Sequence, residues 1–268
     1  MNILEQILEH KKKEVEGLRK DRPILALEQS LDFSKSPLSL RKSLLEKDAT
    51  GIIAEIKRKS PSRGIIHGNA SVEKISTGYI KAGATALSIL TDHQFFGGDN
   101  GDLVTARRFN TCPILRKDFI IDEYQVVESR SIGAYVILLI AAALPPKKLK
   151  SLCEFAHTMG LEVLMEVHNK EELTANLDSD ADLIGVNNRN LKTFESSIEI
   201  SKNLAGLIPD DTLKISESGI ESPGAILELS NYGFHGFLMG QTFMQQEHPE
   251  DAARNFIVEL RRAKAGLK

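Results

Sequence analysis

Charged residues that stand directly after short apolar runs are the most chemically suggestive feature of this chain. The stretch Pro113-Ile-Leu-Arg-Lys-Asp-Phe-Ile120 begins as a buried parallel strand should, then turns abruptly to Arg116, Lys117 and Asp118. Phe119 and Ile120 supply an apolar wall beside them. A lysine against such a wall loses hydration, so its pKa is expected to fall, making it a proton donor near neutral pH. The pattern recurs. Glu55 and Lys57 are two residues apart at the end of another apolar run, so they share one face of a strand as an ion pair or as a paired acid and base. Glu166 shares inward parity with Glu162 and Leu164. His168 follows it, and a structural role is the plainer reading for that histidine. Asn187-Asn188-Arg189-Asn190 is a dense polar run straight after an apolar strand.

These residues need a scaffold that gathers strand ends into one place. Eight short apolar runs, at 52–56, 86–90, 114–116, 136–140, 162–166, 183–186, 213–216 and 236–239, alternate with amphipathic stretches such as 72–82, 124–132, 147–159 and 222–232. Gly83, Gly133, Gly160 and Gly233 fall where helix C-cap glycines are expected. Eight βα units favour a closed (β/α)8 barrel over an open sheet. We expect one barrel domain over 1–268. Residues 1–50 form an N-terminal helical extension, with a helix over 2–21 and another around 40–45 laid across one end of the fold. The Lys11-Lys12-Lys13 run reads as a solvated helix face, and 249–268 as a closing helix.

In such a barrel every strand end opens into one mouth, where active sites lie. Ser60 belongs to a Ser/Pro/Gly-rich loop, Arg58 to Gly64, whose cations and hydroxyls suit an anionic ligand. The plainer alternative for this loop is a basic surface segment, and its composition also suggests mobility. Phe95 and Phe96 at a glycine turn either lie on a ligand ring or plug the barrel top. Ser218-Gly219 and Gly240-Gln241 follow strands seven and eight, where barrels often bind phosphate through backbone N–H groups.

Composition bounds the function class. The chain has 268 residues, 41% hydrophobic and 26% charged, enough for a sizeable core. A formal net charge of −3 advertises no nucleic-acid surface. Cys112 and Cys153 form no metal or CxxC pattern and read as reduced core residues. The longest apolar run, 134–144, is too short to span a bilayer, and the amino terminus does not resemble a signal peptide. The expectation is a soluble cytoplasmic protein, without nucleic-acid or membrane partners, acting as a monomer or weak homo-oligomer.

Taken together, IIAEIKRKSPSRG at 52–64, ALSILTDHQFFGGD at 86–99, PILRKDFIIDEYQVVESRSIGA at 113–134, LEVLMEVHN at 161–169, IGVNNRNL at 184–191, KISESGI at 214–220 and FLMGQTFM at 237–244 resemble the indole-3-glycerol phosphate synthase family of tryptophan biosynthesis. The resemblance implies a carboxy-lyase that closes 1-(2-carboxyphenylamino)-1-deoxyribulose 5-phosphate to indole-3-glycerol phosphate, carbon dioxide and water, with no metal and no organic cofactor. It implies that Lys117 protonates the ketone oxygen and that Glu166 serves the later dehydration. Lys57 would bind the carboxylate and donate a proton in loss of hydroxide. Glu55 would set the charge of Lys57 and, with Asn187 and Arg189, hold sugar hydroxyls. Ser60 would lie near the ligand, Phe96 and Phe119 would pack on its ring, and Ser218, Gly219, Gly240 and Gln241 would hold phosphate. Glu217 and Leu238 complete the implied binding set. Gln241 departs from the family, which more often has Ser, Glu or Asp there. Tyr135 also departs, at a strand start away from the chemistry. Two rivals are an isomerase or aldolase of a phosphorylated sugar, and a silent barrel acting as a scaffold. The first needs neither an aromatic pocket nor a second lysine, and the second has no reason to keep Glu55, Lys57, Lys117 and Glu166.

Overall fold

The computed structural model describes residues 2–190 and 194–266. Position 191 of the IGVNNRNL run and positions 267–268 of the expected closing helix lie outside the described residues. Eight parallel strands close into a barrel in sequential order: β1 (Ile52–Ile56), β2 (Ala86–Leu90), β3 (Ile114–Lys117), β4 (Val136–Ile140), β5 (Glu162–Val167), β6 (Leu183–Asn187), β7 (Leu213–Glu217) and β8 (Phe234–Met239). β8 pairs back onto β1 with Leu238 opposite Ile53. The strands are almost wholly buried, as parallel strands covered on both faces must be. Among the intervening helices, Val72–Ala82 ends at Gly83, whose φ of +109° suits a residue without a Cβ. Closure matters for function because it turns eight separate strand ends into one enclosed rim.

Strand parity decides what points inward. Ile53, Ala86, Leu115, Leu138, Leu164, Leu183, Ile215 and Leu238 form the interior cluster. Their neighbours Ile52, Leu87, Ile114, Ile137, Val163 and Ile184 belong to the larger core between strands and helices. Two residues further along the inward parity stand Glu55, Lys117, Glu166, Gly185 and Glu217, so the alternation that fills the barrel also delivers its polar rim.

The amino-terminal segment caps both ends. Helix α1 (Ile3–Asp21) starts with a capping box, in which Asn2 and Glu5 satisfy each other's backbone N–H groups. Its first turns line the barrel mouth through Ile3, Leu4 and Ile7. Helices α2 (Ile24–Glu28) and α3 (Leu40–Leu45) follow. Leu40 and Leu44 of α3 plug the barrel floor. There the inward carboxylate of Glu162 accepts hydrogen bonds from the Leu40 and Arg41 N–H groups (2.7 and 3.2 Å), the anion–helix-start contact that the macrodipole favours. Among the described residues, no helix is long and apolar enough to cross a membrane. Cys112 and Cys153 are free and buried, as expected.

Candidate active site

Lys117 ends β3 and points up the barrel axis. Its Nζ lies 2.6 Å from Glu166 Oε2 and 3.1 Å from Glu217 Oε2. The expected fall in its pKa does not occur. Burial does work against the charge, but Glu166, Glu217 and Glu55 outweigh it and hold the ammonium above the ordinary lysine range. Burial likewise works against the Glu166 charge. The Lys117 ammonium, His168 and a hydrogen bond from Asn187 overcome it and draw the Glu166 carboxyl below the ordinary range. Glu217 shifts the other way, because burial, Glu166 and Glu55 together exceed the pull of Lys117. The result is a stable Lys117–Glu166 ion pair beside a second carboxyl that is reluctant to ionise.

Glu217 is held with a free oxygen. Its Oε2 takes Lys117, whereas its buried Oε1 accepts no hydrogen bond among the described residues. Gly185 on β6 makes room for it: a Cβ there would stand 2.2 Å from Glu217 Oε1. Two strands away, at the end of β1, Lys57 Nζ binds Glu55 Oε1 at 2.6 Å, which realises the expected same-face pair. A Cβ on Gly240 would meet Glu55 Oε1 at 2.7 Å, so glycine at the end of β8 leaves the space that this carboxylate fills.

The rim loops differ in what they offer an anion. Ser218 and Gly219 are both left-handed (φ +67° and +70°), which is uncommon for serine and marks a constrained turn after β7. Asn188 fixes that turn by donating from Nδ2 to the Ser218 carbonyl at 3.0 Å. Gly240 precedes the short helix Gln241–Met244 after β8. Arg189 donates from Nη2 to Gln241 Oε1 at 3.1 Å and forms no ion pair with a described carboxylate. Burial and nearby Arg63 both depress its pKa. Two arginines so arranged call for an anion. By contrast Arg58 is committed to Asp102, and Lys59 donates to the Gln94 carbonyl at 2.7 Å. Ser60 and Gly64 pair in a small hairpin, Lys59–Ser60 with Gly64–Ile65, so the loop thought of as a mobile segment contains ordered antiparallel structure.

One cavity of about 450 Å³ is lined among others by Glu55, Lys57, Ser60, Phe96, Lys117, Phe119, Glu166, Asn187, Arg189, Glu217, Ser218, Gly219, Leu238, Gly240 and Gln241. Every residue that the family resemblance implied at the site therefore lies in it, whereas Phe95, Arg58 and Lys59 do not line it. Phe96 and Phe119 form its aromatic end, with ring centroids 5.9 Å apart at 38°. Among the lining residues outside the expected set, two carry chemistry that bears on the site. His168 is one: its Nε2 lies 3.4 Å from Glu166 Oε1 and its Nδ1 3.2 Å from Glu172. Its spacing of two from Glu166 was the available signal, because parity alone turns it inward. Arg63 is the other. The expected solvated face of Lys11 is wrong. Its side chain is 0% exposed and is paired with Glu14, Asp92 and Asp118.

A closed parallel barrel whose mouth holds two lysines among buried carboxylates defines a (β/α)8-barrel protein with an acid–base site. Residues 4–256 match the family model described as indole-3-glycerol phosphate synthase, and the chain belongs to that family. It is 46% identical over 256 residues to the indole-3-glycerol phosphate synthase of Bacteroides thetaiotaomicron, covering 96% of this chain and 98% of that one. It is 41% identical over 253 residues to that of Campylobacter fetus subsp. fetus, covering 94% and 98%. Among solved structures it resembles thiamine phosphate pyrophosphorylase from Pyrococcus furiosus, at a TM-score of 0.59 and 16% identity over 85% of this chain and 98% of that one, a likeness of fold alone.

Proposed function

We propose that this protein is a carboxy-lyase that closes the indole ring. It converts 1-(2-carboxyphenylamino)-1-deoxyribulose 5-phosphate to indole-3-glycerol phosphate, carbon dioxide and water. The observation that carries the reading is Lys117, set between Glu166 and Glu217 in a cavity with an aromatic end. As the carboxylate-bearing ring carbon attacks the ketone, the carbonyl oxygen becomes an alkoxide. That is a base strong enough to take a proton from an ammonium whose pKa is raised, and the charge of Lys117 stabilises the developing anion beforehand. Loss of carbon dioxide returns the electron pair to the ring. Departure of the new hydroxyl as water needs a second proton, for which Lys57 is suited. Removal of the remaining ring proton falls to Glu166, kept ionised by its surroundings.

The rest of the cavity divides by chemistry. Phe96 and Phe119 flank the aryl ring, with Ser60 and Leu238 beside it, and Lys57 takes the carboxylate. Glu55 and Asn187 hold the sugar hydroxyls. Arg189, bonded to Gln241, suits the phosphate end with Ser218, Gly219 and Gly240. Inorganic phosphate competing with substrate, and an anion between Gly219 and Gly240 in sulfate-soaked crystals, are the corresponding expectations. The cavity's aromatic end and second lysine favour this reading over a sugar-phosphate isomerase. We read residues 1–268 as one barrel domain with 1–50 as its helical extension. It works in the cytoplasm as a monomer or weak homo-oligomer on this small phosphorylated substrate, without nucleic acid, membrane, metal or organic cofactor. Incubation with the carboxyphenylamino ribulose phosphate, followed by indole fluorescence, tests the function; absence of an indole signal with folded protein would refute it.

A further inference from the structure

We propose that Lys11, in the amino-terminal helix, is a positioning residue that sets the aromatic end of the site. This rests on the reading that the cavity holds an aryl ring. Lys11 is wholly enclosed, and its ammonium touches two carboxylates that each organise one of the facing aromatics. Its Nζ lies 3.1 Å from Asp92 Oδ2, and the other Asp92 oxygen accepts from the N–H groups of Phe95 (2.8 Å) and Phe96 (3.2 Å). Its Nζ lies 3.0 Å from Asp118 Oδ1, and that same oxygen accepts from the Phe119 N–H at 2.8 Å. One ammonium thus joins the two turns whose rings stand 5.9 Å apart in the cavity.

The helix gains its position from the same contact. Ile7 lies one turn before Lys11 on the same helix face, and Ile3 another turn before that. Both line the cavity. His10 adds an edge contact to Phe95, 5.8 Å between centroids. The wall formed by α1 and the wall formed by Phe96 and Phe119 therefore meet at Lys11. At the other end of the cavity the Ser218 carbonyl bonds to Asn188 and Arg189 to Gln241, and among the described residues no hydrogen bond or ion pair joins Ser218, Gly219, Gly240 or Arg189 to this cluster. Loss of the ammonium should loosen the ring subsite and leave the anion subsite intact.

The test compares Lys11→Met with Lys11→Met/Asp92→Asn. The double variant keeps an amide oxygen to cap the Phe95–Phe96 turn and removes one stranded carboxylate, so it guards against misfolding of the single variant. Three quantities are read on folded protein, verified by a cooperative unfolding transition: KM and kcat, the Kd of an N-alkyl-2-aminobenzoate probe, and the Ki of orthophosphate. The expected result is a rise of about tenfold in KM and in the Kd of the probe, the scale of one lost aromatic packing interaction, with the Ki of orthophosphate within about twofold. Equal weakening of probe and orthophosphate would mean general loosening and overturn the inference. So would unchanged probe affinity, or a double variant that cannot fold. Wild-type protein that neither binds the probe nor turns over substrate overturns the functional reading, and this inference with it. Wild-type binding matched by both variants overturns this inference alone.

Discussion

Lys11 is buried and Lys117 largely so, and both sit among carboxylates. Their acidic partners include residues close in sequence to each other's centre, since Lys117 and Asp118 are neighbours. Around Lys11, three of the four oxygens of Asp92 and Asp118 accept hydrogen bonds, and the fourth, Asp92 Oδ2, meets the ammonium as an ion pair at 3.1 Å. Asp118 gives one oxygen to Lys11 and the Phe119 N–H, and the other to Thr91 (2.6 Å) and Arg116 (3.2 Å). Arg116 is in turn held by Glu128 at 2.7 Å. Around Lys117 the bonding is incomplete. Its side chain is 14% exposed to the cavity, and Glu217 keeps an unpartnered oxygen. A sealed cluster whose carboxylates are spent on backbone N–H groups and buried cations fixes backbone, whereas one that opens on the cavity retains capacity for a substrate. The distinction lies in where the unbonded oxygen stands, sealed against Lys11 at Asp92 and beside the cavity at Glu217, and in the exposure of the two ammonium side chains, 0% at Lys11 and 14% at Lys117.

The comparison breaks first, and furthest, at the two lysines themselves. Lys117→Ala should fold and lower kcat by about 10²–10⁴-fold, the usual contribution of a general acid. Water entering the open cavity can solvate the remaining carboxylates, so the expected shift in Tm is no more than about 4 °C. Near wild-type kcat would remove Lys117 from the chemistry. Lys11→Ala has the opposite profile. It leaves the buried Asp92 with no cation among the described residues and Asp118 with Arg116 alone, and loss of one partner of a buried pair typically costs about 3–5 kcal/mol. Urea denaturation measures this. A loss below about 1 kcal/mol, as for a surface pair, would mean that the cluster is open to solvent.

Acid sharpens the contrast. Asp118 has its pKa lowered from 3.8 to about 2, since Lys11, Arg116 and bonds from Thr91 and Lys11 overcome the effect of burial. A depressed carboxyl contributes stability that is full above its unfolded pKa and is lost as pH falls from about 4 to about 2, roughly 2 kcal/mol in all. Asp118→Asn should therefore be less stable near pH 7, yet lose less stability than wild type between pH 5 and pH 3. Parallel losses would assign the acid sensitivity to Glu166, the other strongly depressed carboxyl at the rim.

The barrel was legible because parallel strands announce themselves as short apolar runs. The expected strands at 52–56, 86–90 and 136–140 coincide with those observed, and 114–116 and 183–186 stop one residue early, where a polar residue closes the strand. Site residues were legible through the same parity. Glu166 was read inward from Leu164, and the rule extended by two residues gives His168. The charge environment was not legible. The carboxylates that raise the pKa of Lys117 come from β5, β7 and β1, and only the closed barrel brings them to β3. Lys11 failed for the same reason. Local pattern makes Lys11-Lys12-Lys13 one polar run, while helical rotation buries its first member and leaves Lys12 and Lys13 exposed. Its partners Asp92 and Asp118 are some 80 and 107 positions away in sequence.

The smallest effect is the most diagnostic of the open centre. Lys117 and Glu166 are pushed outward from neutrality, upward and downward, so their ion pair persists across the working range. A bell-shaped kcat/KM profile with its acidic limb at Glu166 is therefore not what this geometry supports. The carboxyl raised towards neutrality is Glu217, which faces Lys117, Glu166, Glu55 and, more distantly, His168. Because Glu166 and Glu217 share one ammonium, the limb belongs to the pair as a whole and its midpoint is macroscopic. In stability terms the sign is opposite to Asp118: a raised carboxyl favours the fold below its unfolded pKa and loses that contribution as pH rises through its folded value. For activity, ionised Glu217 is needed beside Lys117 to hold the ammonium in place, so kcat/KM should rise with pH through the near-neutral range. Glu217→Gln keeps the size and one acceptor but cannot titrate. It should abolish that limb and lower the plateau by about tenfold or less, the scale of one charge-assisted hydrogen bond. His168→Gln provides the control, since His168 titrates nearby with its own pKa raised through Glu172 and Glu166 despite burial. A limb that survives Glu217→Gln and vanishes in His168→Gln would transfer the titration to His168. The spare valence of Glu217 would then serve substrate binding alone.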